Sequence, residues 1–196
     1  MESSGRRVPP EEKARATRRR ILVEATRLFA RQGYHKTTVA DIADAIGMTQ
    51  GALFHHFANK EAVLEAVVDG LARGMDQYRD AMERADPRAS VRRVIDHMVD
   101  HYRRQPEATV CLAALATEFA GTGHPVLERI LEAYERFVEP FAAVLAADAG
   151  VEDPRAAAIA FIGSVQGIAV QGLLRGGEPP LERLARAFAG LLGPMR

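Results

Sequence analysis

The chain has 196 residues, of which 47% are hydrophobic and 27% are charged, and its formal net charge is zero. This composition is typical of a globular protein and excludes the disordered, fibrous and collagen-like classes. A single cysteine, Cys111, excludes an intrachain disulfide and cannot build a structural zinc site alone, so we expect no metal or other cofactor and a reducing, cytoplasmic setting.

Charge is distributed unevenly along the chain. Residues 1–60 contain eleven basic and six acidic side chains, a net charge of +5, whereas residues 61–196 carry a net charge of −5. A basic amino-terminal part suits contact with phosphate groups, although drift on a solvated surface could produce the same asymmetry. A motif is therefore needed before nucleic-acid binding can be inferred.

The spacing of apolar residues predicts helices throughout and no strand, so we expect an all-α protein. Residues 1–12 are polar, lack the apolar stretch of a secretory signal and are predicted to form a disordered tail. The first helix is predicted from Glu12 to Gln32, and Gly33 is predicted to end it as a left-handed cap.

The next segment, Thr37 to Phe57, has the features of a helix-turn-helix. Thr38 is placed to cap its first short helix and Thr49 its second. Gly47 supplies the positive φ that a tight turn between the two helices requires. The segment therefore predicts two short helices that cross at a turn.

The outer face of the second short helix is the predicted DNA-reading surface. With Leu53 and Phe57 directed inward, helical geometry leaves four residues facing outward: Gln50, Gly51, Phe54 and His55. Gln50 suits the donor and acceptor pair of adenine, and Gly51 allows close approach of the backbone. The predicted DNA-binding set is completed by Thr37, Thr38, Thr49, His56 and Lys60. Two alternatives stay open: one histidine could be hydrogen-bonded at the core edge, and similar helical hairpins occur in proteins that bind no DNA.

From Arg19 to Leu71 the chain resembles the amino-terminal domain of the tetracycline-repressor (TetR) family. The shared features are Phe29 and Gly33 at the end of the first helix, the Thr37-Thr38 pair, the Ala43 and Gly47 spacing, the Leu-aromatic-x-His-Phe run and the sequence Asn59-Lys60-Glu61. The resemblance implies an all-α homodimer that binds a palindromic operator in double-stranded DNA, usually as a repressor released by a small ligand. One position departs from the pattern, because Phe54 stands where the family most often has a tyrosine that contacts the DNA backbone.

The expected organisation has three parts. A tail over residues 1–12 precedes a three-helix helix-turn-helix DNA-binding domain over 13–66 and a helical ligand-binding and dimerisation domain over 67–196. A connecting helix is predicted to start at Asn59, join the two domains and end at the Asp86-Pro87 break. Five more helices are predicted at residues 89–104, 106–120, 125–147, 153–174 and 180–192, with Pro140 kinking the third of them.

Methionine and aromatic residues recur at helical spacing in the second domain, where they form either ordinary core or the lining of a cavity. The predicted ligand-binding set is Met75, Tyr78, Met82, Met98, Tyr102, Cys111, Leu115, Glu118, Phe119, Phe137 and Phe141. Glu118 is its polar member and either receives a polar group of the ligand or is paired or exposed near a helix end. The predominance of apolar side chains, without a clustered charge, favours a lipophilic or aromatic effector over a phosphate or a sugar.

Residues 156–174 are uncharged over a length close to that of a membrane span. This segment contains glutamines and glycines and has no aromatic belt at either end. These features favour a helix buried against another helix, so no membrane partner is expected. Small side chains on this helix and an apolar stripe on the last helix predict a homodimer interface. Its predicted members are Ala160, Ser164, Gly167, Gly172, Leu184 and Phe188.

No motif of a common enzyme class is present: the chain has no P-loop, dinucleotide glycine fingerprint, nucleophile elbow or HExxH. Cys111 could imitate a thiol nucleophile beside His97 or His101, but its apolar setting predicts an inert buried thiol. We therefore expect no enzymatic activity. The alternative is a helical enzyme or adaptor that has kept the helix-turn-helix shape without regulating transcription.

Overall fold

The computed structural model describes residues 9–82, 87–147, 150–176 and 180–191. Within these ranges every regular element is a helix, which confirms the all-α prediction. The described residues form ten helices, in chain order α1 Pro10–Gln32, α2 Val39–Ala45, α3 Gln50–Phe54, α4 Lys60–Asp76, α5 Arg79–Met82, α6 Pro87–Arg104, α7 Pro106–Phe119, α8 Val126–Leu145, α9 Pro154–Leu174 and α10 Leu181–Leu191.

Helix α1 begins earlier than the sequence indicated. Pro10 fits the first turn, where the missing N–H has no helical partner to lose, and Glu11 and Glu12 place negative charge at the positive end of the helix. Residues 10–12 are therefore helical rather than part of a tail, while residues 1–8 of the predicted tail lie outside the described residues. Gly33 ends the helix with the expected positive φ of 83°, but its ψ of 163° lies outside the left-handed helical region predicted for it.

The connecting helix is shorter than predicted. It ends at Asp76 and is followed by a turn and the four-residue α5. Tyr78 lies in this turn, is only 5% exposed and packs edge-on against Phe137 with ring centroids 5.8 Å apart. The break turns this aromatic ring into the body of the protein. Asp86, at the predicted end of the helix, lies outside the described residues.

Two clusters of buried side chains form the core. The first cluster contains side chains of α1, α2, α3, α4, α7 and the first half of α8. The second contains side chains of α5, α6, α8 and α9. Val67 and Val68 of α4 and Leu112 and Leu115 of α7 all belong to the first cluster, which therefore extends across the predicted boundary between residues 66 and 67. Because it is built partly on α7, the helix-turn-helix shares a core with the second domain.

Helix α8 runs without interruption from Val126 to Leu145 and includes Pro140. Its guanidinium groups tie it to α4: Arg129 pairs with Asp69 at 2.7 Å and Arg136 with Asp76 at 2.9 Å. These pairs hold the connecting helix alongside α8.

Helix α9 is the one helix in the described ranges that is long and apolar enough to cross a membrane, judged by length and composition alone. It packs against α7, α8 and α10 and buries Ala158, Phe161 and Ile162. Its other side is apolar and exposed at Ile159, Val170, Leu173 and Leu174. The helix is therefore buried on one side only, whereas the sequence predicted a buried helix.

Candidate DNA-binding surface and effector cavity

The start of α2 is fixed by a pair of reciprocal hydrogen bonds. The Thr38 hydroxyl accepts from the Asp41 N–H at 3.1 Å, and the Asp41 carboxylate accepts from the Thr38 N–H at 2.8 Å. This is a capping box, in which two otherwise unpaired helix donors are satisfied. The bond from the Thr38 backbone, followed by the bond from its side chain, lowers the pKa of the Asp41 carboxyl below its ordinary value.

The turn between α2 and α3 has the geometry that the sequence predicts. Gly47 has a φ of 68°, and the Thr49 hydroxyl caps α3 by accepting from the Ala52 N–H at 3.2 Å. Leu53 is fully buried and anchors α3, which ends at Phe54. Phe57 follows the helix and is buried as well, so both predicted anchors point into the core.

The four residues predicted to read DNA are all exposed on α3 and its carboxy-terminal end: Gln50, Gly51, Phe54 and His55. The Phe54 side chain is large and apolar, yet the residue is 46% exposed to solvent. No heavy atom lies within 4 Å of a Cβ built at Gly51, so the backbone there is open to close approach. This surface has the shape and chemistry to enter a groove.

Besides the capping residues Thr38 and Thr49, two further predicted DNA-binding side chains are engaged within the protein. Thr37 is fully buried, and its hydroxyl donates to the Gly33 carbonyl at 2.7 Å while accepting from Gln32 at 3.2 Å. It therefore holds the turn after α1 and does not present its hydroxyl to a phosphate. The Lys60 ammonium donates to the carbonyls of Tyr34 and Thr37 at 3.1 and 3.0 Å, which leaves one of its three donors for DNA.

Two arginines of α1 brace the helix-turn-helix, a role that the sequence did not reveal. Arg18 donates to the His56 carbonyl at 2.8 Å and lies 3.9 Å from the centroid of the Phe57 ring. Arg20 donates to the Ile46 carbonyl at 3.0 Å. The run of three arginines at residues 18–20 was the available signal, but a basic run alone indicates phosphate contact as readily as backbone bracing.

Glu118 connects the second domain to the turn that precedes the helix-turn-helix. Its two carboxylate oxygens accept from the backbone N–H groups of Tyr34 at 2.7 Å and His35 at 2.8 Å. The Tyr34 hydroxyl in turn donates to Glu61 of α4 at 2.9 Å. Glu118 was included in the predicted ligand-binding set, but it is paired at the junction of α1, α4 and α7. This agrees with the alternative prediction, in which Glu118 is paired or exposed near a helix end.

A cavity of about 100 Å³ lies between α4, α6, α7 and α9. Three residues of the predicted ligand-binding set line it, namely Met75, Tyr78 and Met98. A smaller space of about 30 Å³ beside it is lined by Met98, Tyr102 and Phe188. Burial raises the pKa of Tyr78 to about 12, so its phenol stays protonated at neutral pH.

Six other predicted ligand-binding residues are core residues instead. Cys111, Leu115 and Phe119 belong to the first core cluster, while Met82, Phe137 and Phe141 belong to the second. None of these six lines either space, and no residue of α8 is part of the lining of either one. Burial also raises the pKa of the Cys111 thiol to about 12, which disfavours the reactive thiolate.

Sequence reasoning missed the polar part of the cavity wall. Gln77 and His101 lie on it, with Gln77 Nε2 and His101 Nδ1 3.3 Å apart, and Gln166 of α9 donates to the Tyr134 hydroxyl at 2.7 Å. In the sequence, the only indication that α9 supplies a polar group to the cavity was a glutamine on an otherwise apolar helix. This signal could not be interpreted without knowing which face of α9 lines the cavity.

The predicted dimer-interface residues divide between two environments. Ala160 and Gly167 are exposed, and the partly buried Ser164 donates to the Ala160 carbonyl at 2.8 Å. Gly172 is buried within the chain. On α10, Leu184 and Phe188 are half-buried, and Phe188 packs against the second core cluster.

Residues 21–67 match the family described as bacterial regulatory proteins, tetR family. Over 53 residues the chain is 51% identical to the HTH-type transcriptional repressor Rv1474c of Mycobacterium tuberculosis, an alignment that covers 27% of this chain and 28% of that protein. The chain thus spans little more than a quarter of the length of this relative, in the region of the helix-turn-helix.

Solved structures extend the likeness beyond that region. SCO4454, a TetR-family transcriptional regulator from Streptomyces coelicolor, is 25% identical with a TM-score of 0.73, over 94% of this chain and 95% of that one. AibR, solved in complex with isovaleryl coenzyme A and operator DNA, is 24% identical with a TM-score of 0.72, over 89% of this chain and 96% of that one. The helix-turn-helix region of the chain is thus similar to the tetR family of bacterial regulatory proteins, and the chain shares its helical fold with a solved TetR-family regulator.

Proposed function

We propose that the chain is a cytoplasmic transcriptional regulator that binds a palindromic operator as a homodimer and acts as a repressor. The exposed outer face of α3, held on a capped and braced helix-turn-helix, carries this proposal. In a two-fold dimer the two α3 helices would enter successive major grooves about 34 to 36 Å apart on one side of the duplex. Gln50 reads a base edge, Phe54 contacts a thymine methyl or a sugar, and His55 reaches a base or a phosphate.

The exposed side of α9 supports the homodimer. Ile159, Val170, Leu173 and Leu174 are large apolar residues left in contact with solvent by the single chain. Gly163 and Gly167 lie on the same helix with no heavy atom within 4 Å of an added Cβ, so a second helix can approach closely there. We assign this surface to an isologous contact in which α9 and α10 of each copy form four helices.

The position of the cavity supports control by a small molecule. Helix α4 starts at Lys60 beside the helix-turn-helix and carries Met75 to the cavity wall. A ligand that prefers one position of α4 shifts the separation of the two reading helices, and a dimer that cannot meet both half-sites binds much more weakly. AibR, which shares the fold, was solved with both operator DNA and a small molecule. The apolar wall favours an effector that is lipophilic or aromatic in its buried part.

Selection of bound sequences from random duplex DNA tests the proposal. We expect inverted half-sites, and an affinity that falls steeply with salt because phosphate contacts release counterions. Gln50→Ala should change the base preference of the selected half-site, whereas Arg92→Ala, an exposed position on α6, should leave it unchanged. A helical enzyme or adaptor would show neither sequence selection nor a salt-dependent affinity for a palindromic duplex.

A further inference from the structure

A large surface groove lies next to the cavity described above. It lies between α1, α4 and the turn that joins α6 to α7, and it has a volume of about 550 Å³. Four residues line both the groove and the cavity: Gly70, Leu71, Gln105 and Ala108. The groove and the cavity are therefore adjacent and share a wall at these four residues.

The groove is positively charged at its edges. Arg19, Arg27 and Arg104 line it together with a single carboxylate, Glu107. That carboxylate is already engaged by Arg31 at 2.7 Å. The surface that a ligand would meet therefore carries a surplus of cationic groups.

Two of the three arginines keep donors for a ligand. Arg19 makes no hydrogen bond or ion pair with any residue in the described ranges, and Arg104 uses only its Nε, which donates to the Asp100 carbonyl at 3.2 Å. Arg27 is bound through its guanidinium to Glu24. The floor between them is apolar at Leu22 and Val67. An apolar floor beneath guanidinium groups suits a molecule with both an apolar and an anionic part.

We propose that the effector is an amphiphilic anion, with a short apolar chain in the cavity and a carboxylate or phosphate head held by the arginines of the groove. This inference rests on the proposed ligand-responsive function and adds a charged end to the lipophilic effector that the sequence indicated. The cavity of about 100 Å³ is smaller than the cavity of about 150 Å³ that accommodates benzene, so the apolar end is short. The open groove accepts a head much larger than the buried chain.

The same site gives the head a way to influence DNA binding. Arg19 and Arg27 belong to α1, while Arg104 ends α6, so a bound anion links the helix-turn-helix domain to the second domain. Arg18 and Arg20, on either side of Arg19, hold the carbonyls of His56 and Ile46. A shift of α1 toward the anion is therefore passed to both ends of the helix-turn-helix.

Calorimetry on the ligand-free protein tests the proposal with four probes: pentanoate, butyl phosphate, butyryl-coenzyme A and the neutral pentanamide. At least one anionic probe should bind more tightly than pentanamide, and comparison of the three anions distinguishes a carboxylate head from a phosphate head. Arg19→Gln and Arg104→Gln should each weaken anion binding about tenfold, as expected for the loss of a charge-assisted hydrogen bond. Arg15→Gln removes an exposed charge from α1 outside the groove and should have little effect.

A second pair of variants tests whether the groove and cavity are used together. Gly70→Leu places a bulky side chain where the two spaces meet and should abolish binding of the tightest anion. Gly70→Ala provides the matched control. It removes the conformational freedom of glycine from α4, as Gly70→Leu does, but adds little volume. Equal binding of anions and pentanamide, no effect of the arginine variants, or no binding of any probe at millimolar concentration would overturn the proposal. Selection of operator DNA by the unliganded protein is measured separately, so failure of the regulatory function is distinguishable from failure of this effector class.

Discussion

Glu118 shows how a single side chain can join two parts of the protein. Its carboxylate accepts two backbone N–H groups from residues more than eighty positions earlier in the chain, at the turn between α1 and α2. The sequence singled out Glu118 because it is charged within an apolar helix, but its partners depend on how α7 packs against α1. Local patterns could identify the unusual residue and could not identify what it binds.

Removing this carboxylate should weaken both stability and DNA binding. Glu118→Ala leaves the amides of Tyr34 and His35 without their charged acceptor, and we expect a loss of roughly 1–3 kcal/mol in the free energy of unfolding. Urea unfolding measures this change, and operator affinity should fall because the turn before α2 is released. Glu132→Ala, at an exposed position of α8, should stay within about 0.5 kcal/mol of the parent. Equal effects of the two variants would contradict the role assigned to Glu118.

His101 should make stability depend on pH. Burial, followed by the positive charge of Arg104 and the proximity of His97, lowers the pKa of His101 below its ordinary value of 6.5. As the pH falls below about 6.5 the unfolded chain binds this proton first, so stability present above that pH is progressively lost. His101→Gln should reduce the loss measured by urea unfolding between pH 7.5 and 5.5. His55→Gln, at an exposed position, should leave it unchanged, and an unaltered loss in His101→Gln would contradict the assignment.

Helix ends were predictable where the signal is local. Thr38, Gly47 and Thr49 were each assigned their position in the helix-turn-helix, because capping and positive φ depend on the residue and its immediate neighbours. The break between α4 and α5 was not predicted. It accompanies the burial of Tyr78 against Phe137, a contact between residues almost sixty positions apart in the chain.

The Thr38 cap gives a test at the scale of one helix. Thr38→Ala removes the acceptor for the Asp41 N–H and should cost about 1 kcal/mol of unfolding free energy, whereas Thr38→Asn preserves a capping oxygen and should recover most of it. Urea unfolding of the three proteins measures the difference. If Ala and Asn prove equally destabilising, the capping hydrogen bond is not what stabilises the start of α2.

At the scale of the whole molecule, the sequence predicted the exposure of one surface correctly and predicted the lining of the cavity only in part. The outer face of α3 is short and local, so helical spacing alone could place Gln50, Gly51, Phe54 and His55 on it, and all four are exposed. The effector cavity collects side chains from four helices distant in the chain. Methionine and aromatic spacing therefore identified candidates but could not separate cavity lining from core.

The surface of α9 yields the last prediction, at the scale of the assembly. Leu174 is 74% exposed in the single chain, and an added Cβ at Gly167 would meet no heavy atom within 4 Å. Leu174→Glu and Gly167→Leu should therefore fold normally but separate the dimer into monomers, as measured by analytical ultracentrifugation. Leu131→Glu is the matched control, because Leu131 is a 56% exposed leucine on α8, outside the proposed interface. In the first two variants the loss of the dimer should also lower operator affinity. A monomer contacts only one half-site and loses the gain of bivalent binding. A dimer that survives both α9 changes but dissociates in Leu131→Glu would move the interface to α8.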